Sequence, residues 1–213
     1  MTVPTIRPAT AGEIPALGHL IAVSFNHLGP NVYLVPPPAD RIPVHAGFFA
    51  LLTEVAAEHG RVDVVDGADG PVATAVWFDY TRPVPEPADF GERLAALAGP
   101  YRAHFDALGE LFATHHPHEP HWHLAFLAVH PSRQGGGLGS ALMRRTHAEL
   151  DRAGVPAYLE ATNDDNVRLY RGAGYRDLDP FEISLPDGTP FFRMWRPAGQ
   201  GGSPNCPAAG RPG

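Results

Sequence analysis

Two hydrophobic periods alternate along the chain. Residues 5–8 alternate as a short strand, and Thr10 and Glu13 have the spacing of a helix-opening capping box. Ile14, Leu17, Ile21 and Phe25 then fall on one helical face. Pro36, Pro37 and Pro38 interrupt any regular element. A second helix is predicted over residues 42–59, with Phe48, Phe49, Leu52 and Val55 inward and Gly60 as its stop. Residues 62–65 and 72–80 read as strands joined by a hairpin turn over residues 67–70. Helical patterns over Phe90–Ala98 and residues 101–114 are separated by Gly99 and Pro100. A further apolar strand ends at His130-Pro131, because proline biases the preceding residue away from the helical basin. Leu138, Leu142, Thr146 and Leu150 again share a helical face, and Gly154 marks its end. Ala157–Ala161 is a strand. Asp164 or Asp165 is expected to cap a short helix ending at Gly174, and two strands follow over residues 175–185 and 190–195.

Composition narrows this picture. A chain of 213 residues buries a full core most simply as one domain. That domain is expected over residues 1–196, followed by a disordered Pro/Gly-rich tail over 197–213. The net charge is −7 and the chain has no lysine or basic tract, which speaks against a nucleic-acid partner. The single cysteine, Cys206, allows no internal disulfide and suits a reducing cytoplasm. No signal-peptide pattern and no membrane-length apolar run stands out, so a cytoplasmic protein without membrane contact is expected.

The candidate chemistry lies where the strand ending at His130 passes into the helix starting at Leu138. Three consecutive glycines, Gly135, Gly136 and Gly137, precede the helix. Strand, glycine loop and helix suit a phosphate-bearing ligand, since glycines let the backbone approach and the first helical turn offers free N–H groups. The nucleotide-binding P-loop requires Lys and Ser/Thr after its last glycine, and neither follows here. The dinucleotide pattern fits only with the wrong spacing. The pattern that fits is Gln134-x-x-Gly137-x-Gly139 after an apolar strand. It resembles the acetyl-CoA signature of the GNAT acyltransferase superfamily. Glu119-Pro120-x-Trp122, Val76-Trp77, Glu160-x-Thr162 and Asn166-x-x-x-Tyr170 further resemble the puromycin N-acetyltransferase group.

The resemblance implies an α/β (α+β) GNAT fold. Its mixed, mostly antiparallel sheet of about seven strands splays between the fourth and fifth and is flanked by helices. It implies an acetyl-CoA-dependent N-acetyltransferase acting on the primary amine of a small molecule, such as an amine antibiotic, by direct attack in a ternary complex. Two alternatives are an acyl-CoA-binding module without turnover and a peptide or protein N-terminal acetyltransferase. The protein is expected as a monomer or homodimer, with no metal cofactor.

Pantetheine is peptide-like and adds to a strand edge, which the resemblance places at Leu127, Ala128 and Val129. An amide of Phe126 or Leu127 is expected to stabilise the oxyanion. The pyrophosphate is expected on the loop and helix start formed by Gln134, Gly135, Gly136, Gly137, Leu138, Gly139 and Ser140, with Arg133 adding charge. By resemblance Tyr170 is the general acid for the CoA thiolate and either Asn163 or Asn166 contacts the cofactor. The general base is expected at Glu119 or His123, acting through water, with Glu160 on the next strand also a candidate. The dense histidines 115, 116, 118, 121 and 123 resemble a metal-binding tract. No cysteine lies nearby and adjacent histidines point apart, so no metal site is expected. Tyr33, Trp77, Phe78, Asp79, Tyr80, Phe105 and Phe112 are candidate walls of the acceptor pocket, with Phe105 and Phe112 read as packing residues.

Overall fold

The computed structural model describes residues 4–199; the predicted tail lies almost wholly outside them. Strand β1 (Ile6–Pro8) leads through a short 3-10 turn into α1 (Ile14–Phe25). Glu13 reaches back across that turn, its carboxylate accepting from the Thr10 N–H and hydroxyl at 2.8 Å each. Then come α2 (Gly29–Leu34), α3 (Pro38–His59), the hairpin β2 (Gly60–Gly67) and β3 (Gly70–Asp79), α4 (Phe90–Ala98) and α5 (Arg102–His115). The second half runs β4 (Trp122–Val129), α6 (Leu138–Ala153), β5 (Ala157–Ala161), α7 (Asp164–Gly172), β6 (Arg176–Ser184) and β7 (Pro190–Arg196).

Two boundaries differ from the sequence reading, and Gly60 follows the end of α3 as expected but with a different geometry. Helix α3 begins at Pro38, not Ile42, because a proline at the first helical position gives up only an N–H that has no intrahelical partner. Gly60 does not stop α3 through a left-handed turn. Its φ of −174° is extended, and it opens β2, where a Cβ would lie 2.0 Å from the Trp77 carbonyl oxygen. Helix α7 is capped by Asn163 rather than by either aspartate. The Asn163 side-chain oxygen accepts from the Asn166 N–H at 2.9 Å.

The seven strands form one sheet in the order β1-β2-β3-β4-β5-β7-β6. All neighbours are antiparallel except β4 and β5. That parallel pair holds only at Trp122↔Ala157 and His123↔Tyr158, and beyond it the two strands part. This is the predicted splay between the fourth and fifth strands. The sheet separates two apolar clusters. One gathers α1, α3, α4 and α5 around residues such as Leu17, Phe49 and Phe105; the other packs α6 and α7 around Trp77, Leu142 and Tyr170. Gly18 lets α1 and α3 touch, since a Cβ there would lie 2.3 Å from the Ala46 carbonyl oxygen.

A bulge in β4 decides what each cluster receives. Val76 pairs with Phe126 but Trp77 pairs with Leu124, which leaves Ala125 as an extra residue. Alternation therefore shifts by one. Trp122, Leu124, Leu127 and Val129 pack on the α6 side, whereas Ala125, Phe126 and Ala128 all pack on the α1–α3 side. No helix among the described residues is long and apolar enough to cross a membrane.

Candidate active site

The parted strands open a cavity of about 550 Å³. Leu127 and Val129 wall one side, the glycine loop and the start of α6 form one end, and Asn163, Asn166 and Tyr170 from the α7 side line the other wall. Gly135 and Gly137 adopt φ of 76° and 78°, a left-handed conformation that side-chain-bearing residues rarely take. Gly137 caps α6 with no side-chain bond, and the helix ladder begins with the Ala141 N–H bonding the Gly137 carbonyl at 3.0 Å. The amides of Leu138, Gly139 and Ser140 therefore precede the ladder, at the positive end of the helix dipole. Gln134 fixes the loop to the strand, donating its side-chain amide to the Val129 carbonyl at 3.1 Å; Ser24 of α1 donates to the same oxygen at 3.1 Å.

Most of the predicted cofactor residues line this cavity: Leu127, Val129, Arg133, Gln134, Gly135, Gly137, Leu138, Gly139, Ser140, Asn163, Asn166 and Tyr170. Ala128 does not, because it is fully buried on the opposite face of β4. Gly136 is not part of the lining either. Both asparagines are already engaged. Asn163 caps the helix, and the Asn166 side-chain amide donates to the Thr162 hydroxyl at 3.0 Å. Tyr170 is almost fully buried, and burial alone raises its phenol above the usual range, so it is protonated at neutral pH.

A second cavity, of about 490 Å³, lies on the other side of the bulge. Phe25, Leu28, Ala125, Glu160 and Thr162 line both, so the two spaces meet there. Phe49, Phe78, Tyr80, Phe105, Phe112 and Phe126 wall the second cavity. Phe105 and Phe112, read from sequence as packing residues, are thus also wall residues. Tyr33, Trp77 and Asp79 are not in the lining. Trp77 is buried against α6, and the Asp79 carboxylate is held by the Thr81 N–H at 3.0 Å and by Arg82 at 3.1 Å.

At the junction, His123 Nε2 lies 2.8 Å from the Glu160 carboxylate. Burial pushes the Glu160 pKa up, but His123 and the neighbouring Tyr158 hydroxyl more than offset this, and the carboxyl is held below its usual range. Glu160, only a secondary candidate in the sequence, is thus the acidic group at the meeting point. Glu119 is exposed and lines neither cavity; only its backbone carbonyl is used, accepting from His121 Nδ1–H at 2.6 Å. A two-residue strand period through His121 and His123 would have pointed to this face. The contact with Glu160 spans 37 residues and has no local signal.

His116, His121 and His123 do pack together, with Tyr80 and Tyr158 between them. The His116 and His121 rings lie 5.0 Å apart and Tyr80 stacks on His121 at 5.5 Å. Burial, then the neighbouring histidines, lowers His116 to about 3, which keeps it neutral. No group of three potential ligands is placed to hold a metal ion among the described residues.

The Acetyltransferase (GNAT) family model matches residues 73–175, from β3 through α7. Residues 73–175 carry that family's signature, and the sheet order with its parted β4 and β5 is that of a GNAT fold. Over its length the chain is similar to the histone acetyltransferase HPA2 and related acetyltransferase from Corynebacterium glutamicum, with 28% identity and a TM-score of 0.72, covering 95% of this chain and 100% of that one. The fold is shared more distantly with a ribosomal-protein alanine N-acetyltransferase from Escherichia coli (18% identity, TM-score 0.55, 94% and 97% coverage). It is shared also with arylalkylamine N-acetyltransferase 2 from Aedes aegypti (12% identity, TM-score 0.56, 91% and 98% coverage). Acetyl transfer is the activity for which the matching family is named.

Proposed function

We propose that this GNAT protein transfers the acetyl group of acetyl-CoA to the primary amine of a small molecule by direct attack in a ternary complex. The observation that carries this reading is the junction at Glu160. A cleft fit for a phosphate-tethered thioester meets a second cavity at one ionised carboxylate hydrogen-bonded to an imidazole. The resemblance to the puromycin group supports it in part, since Glu160 and Thr162 line both cavities and Asn166 and Tyr170 line the first.

In this reading the pyrophosphate sits on the amides of the glycine loop and the first turn of α6, assisted by Arg133. Pantetheine runs along Leu127 and Val129 in the place that β5 vacates. The amide of Phe126 or Leu127, next to the bulge, donates to the developing oxyanion. The amine enters from the second cavity as an ammonium, attracted by Glu160. The Glu160–His123 pair takes one proton between its two groups, and the neutral nitrogen attacks the thioester carbonyl. Collapse of the tetrahedral intermediate expels CoA as a thiolate, which takes the proton of the neighbouring Tyr170 phenol. The attacking nitrogen loses its second proton as the amide forms, and that proton restores the phenol, so one proton in all remains on the Glu160–His123 pair. Burial raises this phenol, which keeps it protonated at neutral pH and so able to donate.

The test is release of free thiol from acetyl-CoA across a panel of primary amines, comparing wild type with Tyr170→Phe. Amine-dependent thiol release by wild type, reduced in the variant, is expected. Tight binding of acetyl-CoA with no turnover of any amine would favour the binding module instead.

A further inference from the structure

The walls of the second cavity limit what the amine is attached to. Phe49 and Phe126 meet edge to face at 5.0 Å, and Phe48 and Phe105 at 4.9 Å, so the deep wall presents aromatic rings. No arginine lines the cavity among the described residues, and the chain has no lysine. The two buried guanidiniums among the described residues are both engaged by main-chain carbonyls: Arg41 donates to those of Asn26, Val35 and Pro36 at 2.7–3.1 Å, and Arg193 to those of His115, Asp179 and Pro180 at 2.6–3.1 Å. The ionisable groups in the lining are Glu160 at the junction, Glu86 on the segment after β3, and His116 and His123. His116 is neutral at physiological pH, so the fixed charge of the walls is negative.

Resting on the acetyltransferase reading, we infer that the acceptor is a lipophilic monoamine: one ammonium group on an aryl or alkyl body, with no carboxylate. Its ammonium pairs with Glu160 and its body fills the aromatic chamber. An amino acid would bring a carboxylate into a space with two acidic side chains and no cation to receive it. A polyhydroxylated or multiply charged amine would bury polar groups against phenyl rings, where each group left without a partner weakens binding. A peptide N-terminus would bring backbone amides with the same problem.

The test uses matched pairs in the thiol-release assay: phenethylamine against phenylalanine, octylamine against octanediamine, and phenethylamine against a phenylalanyl tripeptide. The monoamine is expected to lead each pair by at least about 10-fold in kcat/KM. Equal or better turnover of phenylalanine, the diamine or the tripeptide would overturn the inference while sparing the acetyltransferase reading. If no amine is turned over, calorimetry with phenethylamine and phenylalanine, in the presence of CoA, decides separately. Binding of phenethylamine alone supports the inference although the enzyme reading has failed, and binding of neither or of both overturns it.

A variant tests the charge argument. Gly109 lies on the exposed side of α5 in the cavity lining, and a Cβ there meets nothing within 4 Å. Gly109→Arg therefore adds a cation without crowding the core. Compared with Gly109→Gln, which adds similar bulk without charge, it is expected to lower kcat/KM for phenethylamine about 5-fold and to narrow the gap to phenylalanine. No difference between the two variants would contradict the inference.

Discussion

The two cavities meet at Glu160 but are built by different means. The cofactor cavity takes its polar groups largely from one continuous stretch, Val129 to Ser140, and from main-chain amides freed by glycine geometry and a helix start. The second cavity, the proposed acceptor site, is assembled from side chains on all of α1 to α5, on β3, β4, β5 and β7, and on the segment after β3. The first therefore depends on backbone conformation and can be written as a short motif. The second depends on which rings happen to face one another, and the same sheet can carry a different acceptor site when those helices change. The β4 bulge lies between them, because it turns Ala125 and Phe126 to the same side, where both line the second cavity.

The sharpest way to break this division is at the junction. Glu160→Gln is expected to lower kcat by about 10²- to 10⁴-fold, the usual range for a group that manages a transferring proton, with acetyl-CoA affinity nearly unchanged. Steady-state kinetics together with a binding titration check this. A kcat near wild type would move the base elsewhere.

Next in size is Tyr170→Phe. The substitution keeps the ring in its buried place and removes only the proton donor. A fall in kcat of about 10- to 100-fold is expected, with the KM for acetyl-CoA held. Loss of acetyl-CoA affinity instead would make Tyr170 a binding wall.

A third substitution sharpens the comparison from the acceptor side. Phe126→Leu trims an aromatic wall of the second cavity beside the cofactor strand. It is expected to raise the KM for the amine several-fold, consistent with about 1 kcal/mol of lost apolar contact. The dissociation constant for acetyl-CoA should not change.

How far the sequence carries follows the same division. Glycine turns, proline breaks and long apolar periods are local, so the hairpin, α4, α5 and α6 were legible in it, whereas the splayed strand pair was expected only through the family resemblance. Most residues lining the first cavity also lie in the stretches singled out from the sequence. Ala128 was named with Leu127 and Val129 for a main-chain contact; ordinary alternation turns its side chain to the opposite face of β4, away from the first cavity. Glu119 was favoured because it lies near the signature strand. The partner actually in contact with His123 comes from β5, and only the folded sheet brings it there. Asp79 carried the right charge for an acceptor site, but its carboxylate is used by its own turn. Asn163 and Asn166 occupied equivalent positions in the motif, and the fold gives one a capping bond and the other a bond to Thr162.

The smallest effect expected concerns stability. Burial and the nearby Arg41 lower His45 to about 4, and burial and the nearby Arg196 lower His147 to about 4. Unfolded histidine titrates near pH 6.5, so between these values the unfolded chain binds protons that the folded chain does not. Stability should therefore fall as the pH drops from about 6.5 toward 4, each group contributing about 1–2 kcal/mol near pH 5. His45 is fully buried against Phe49 and Phe105, and His45→Phe should flatten this slope in thermal melts at several pH values. An unchanged slope would assign the acid sensitivity to other groups.

The central claim is that main-chain amides at the start of α6 hold the diphosphate end of the cofactor. Calorimetric titration of acetyl-CoA into wild type and Gly139→Glu tests it most directly. A Cβ at Gly139 makes only ordinary contacts, 3.5 Å or more, with Leu127 and Val129, so the variant should fold while a carboxylate occupies the anion's place. The account predicts saturable binding by wild type and none detectable by the variant at the same concentrations. Equal affinity in the two proteins, or no binding by wild type, would contradict it.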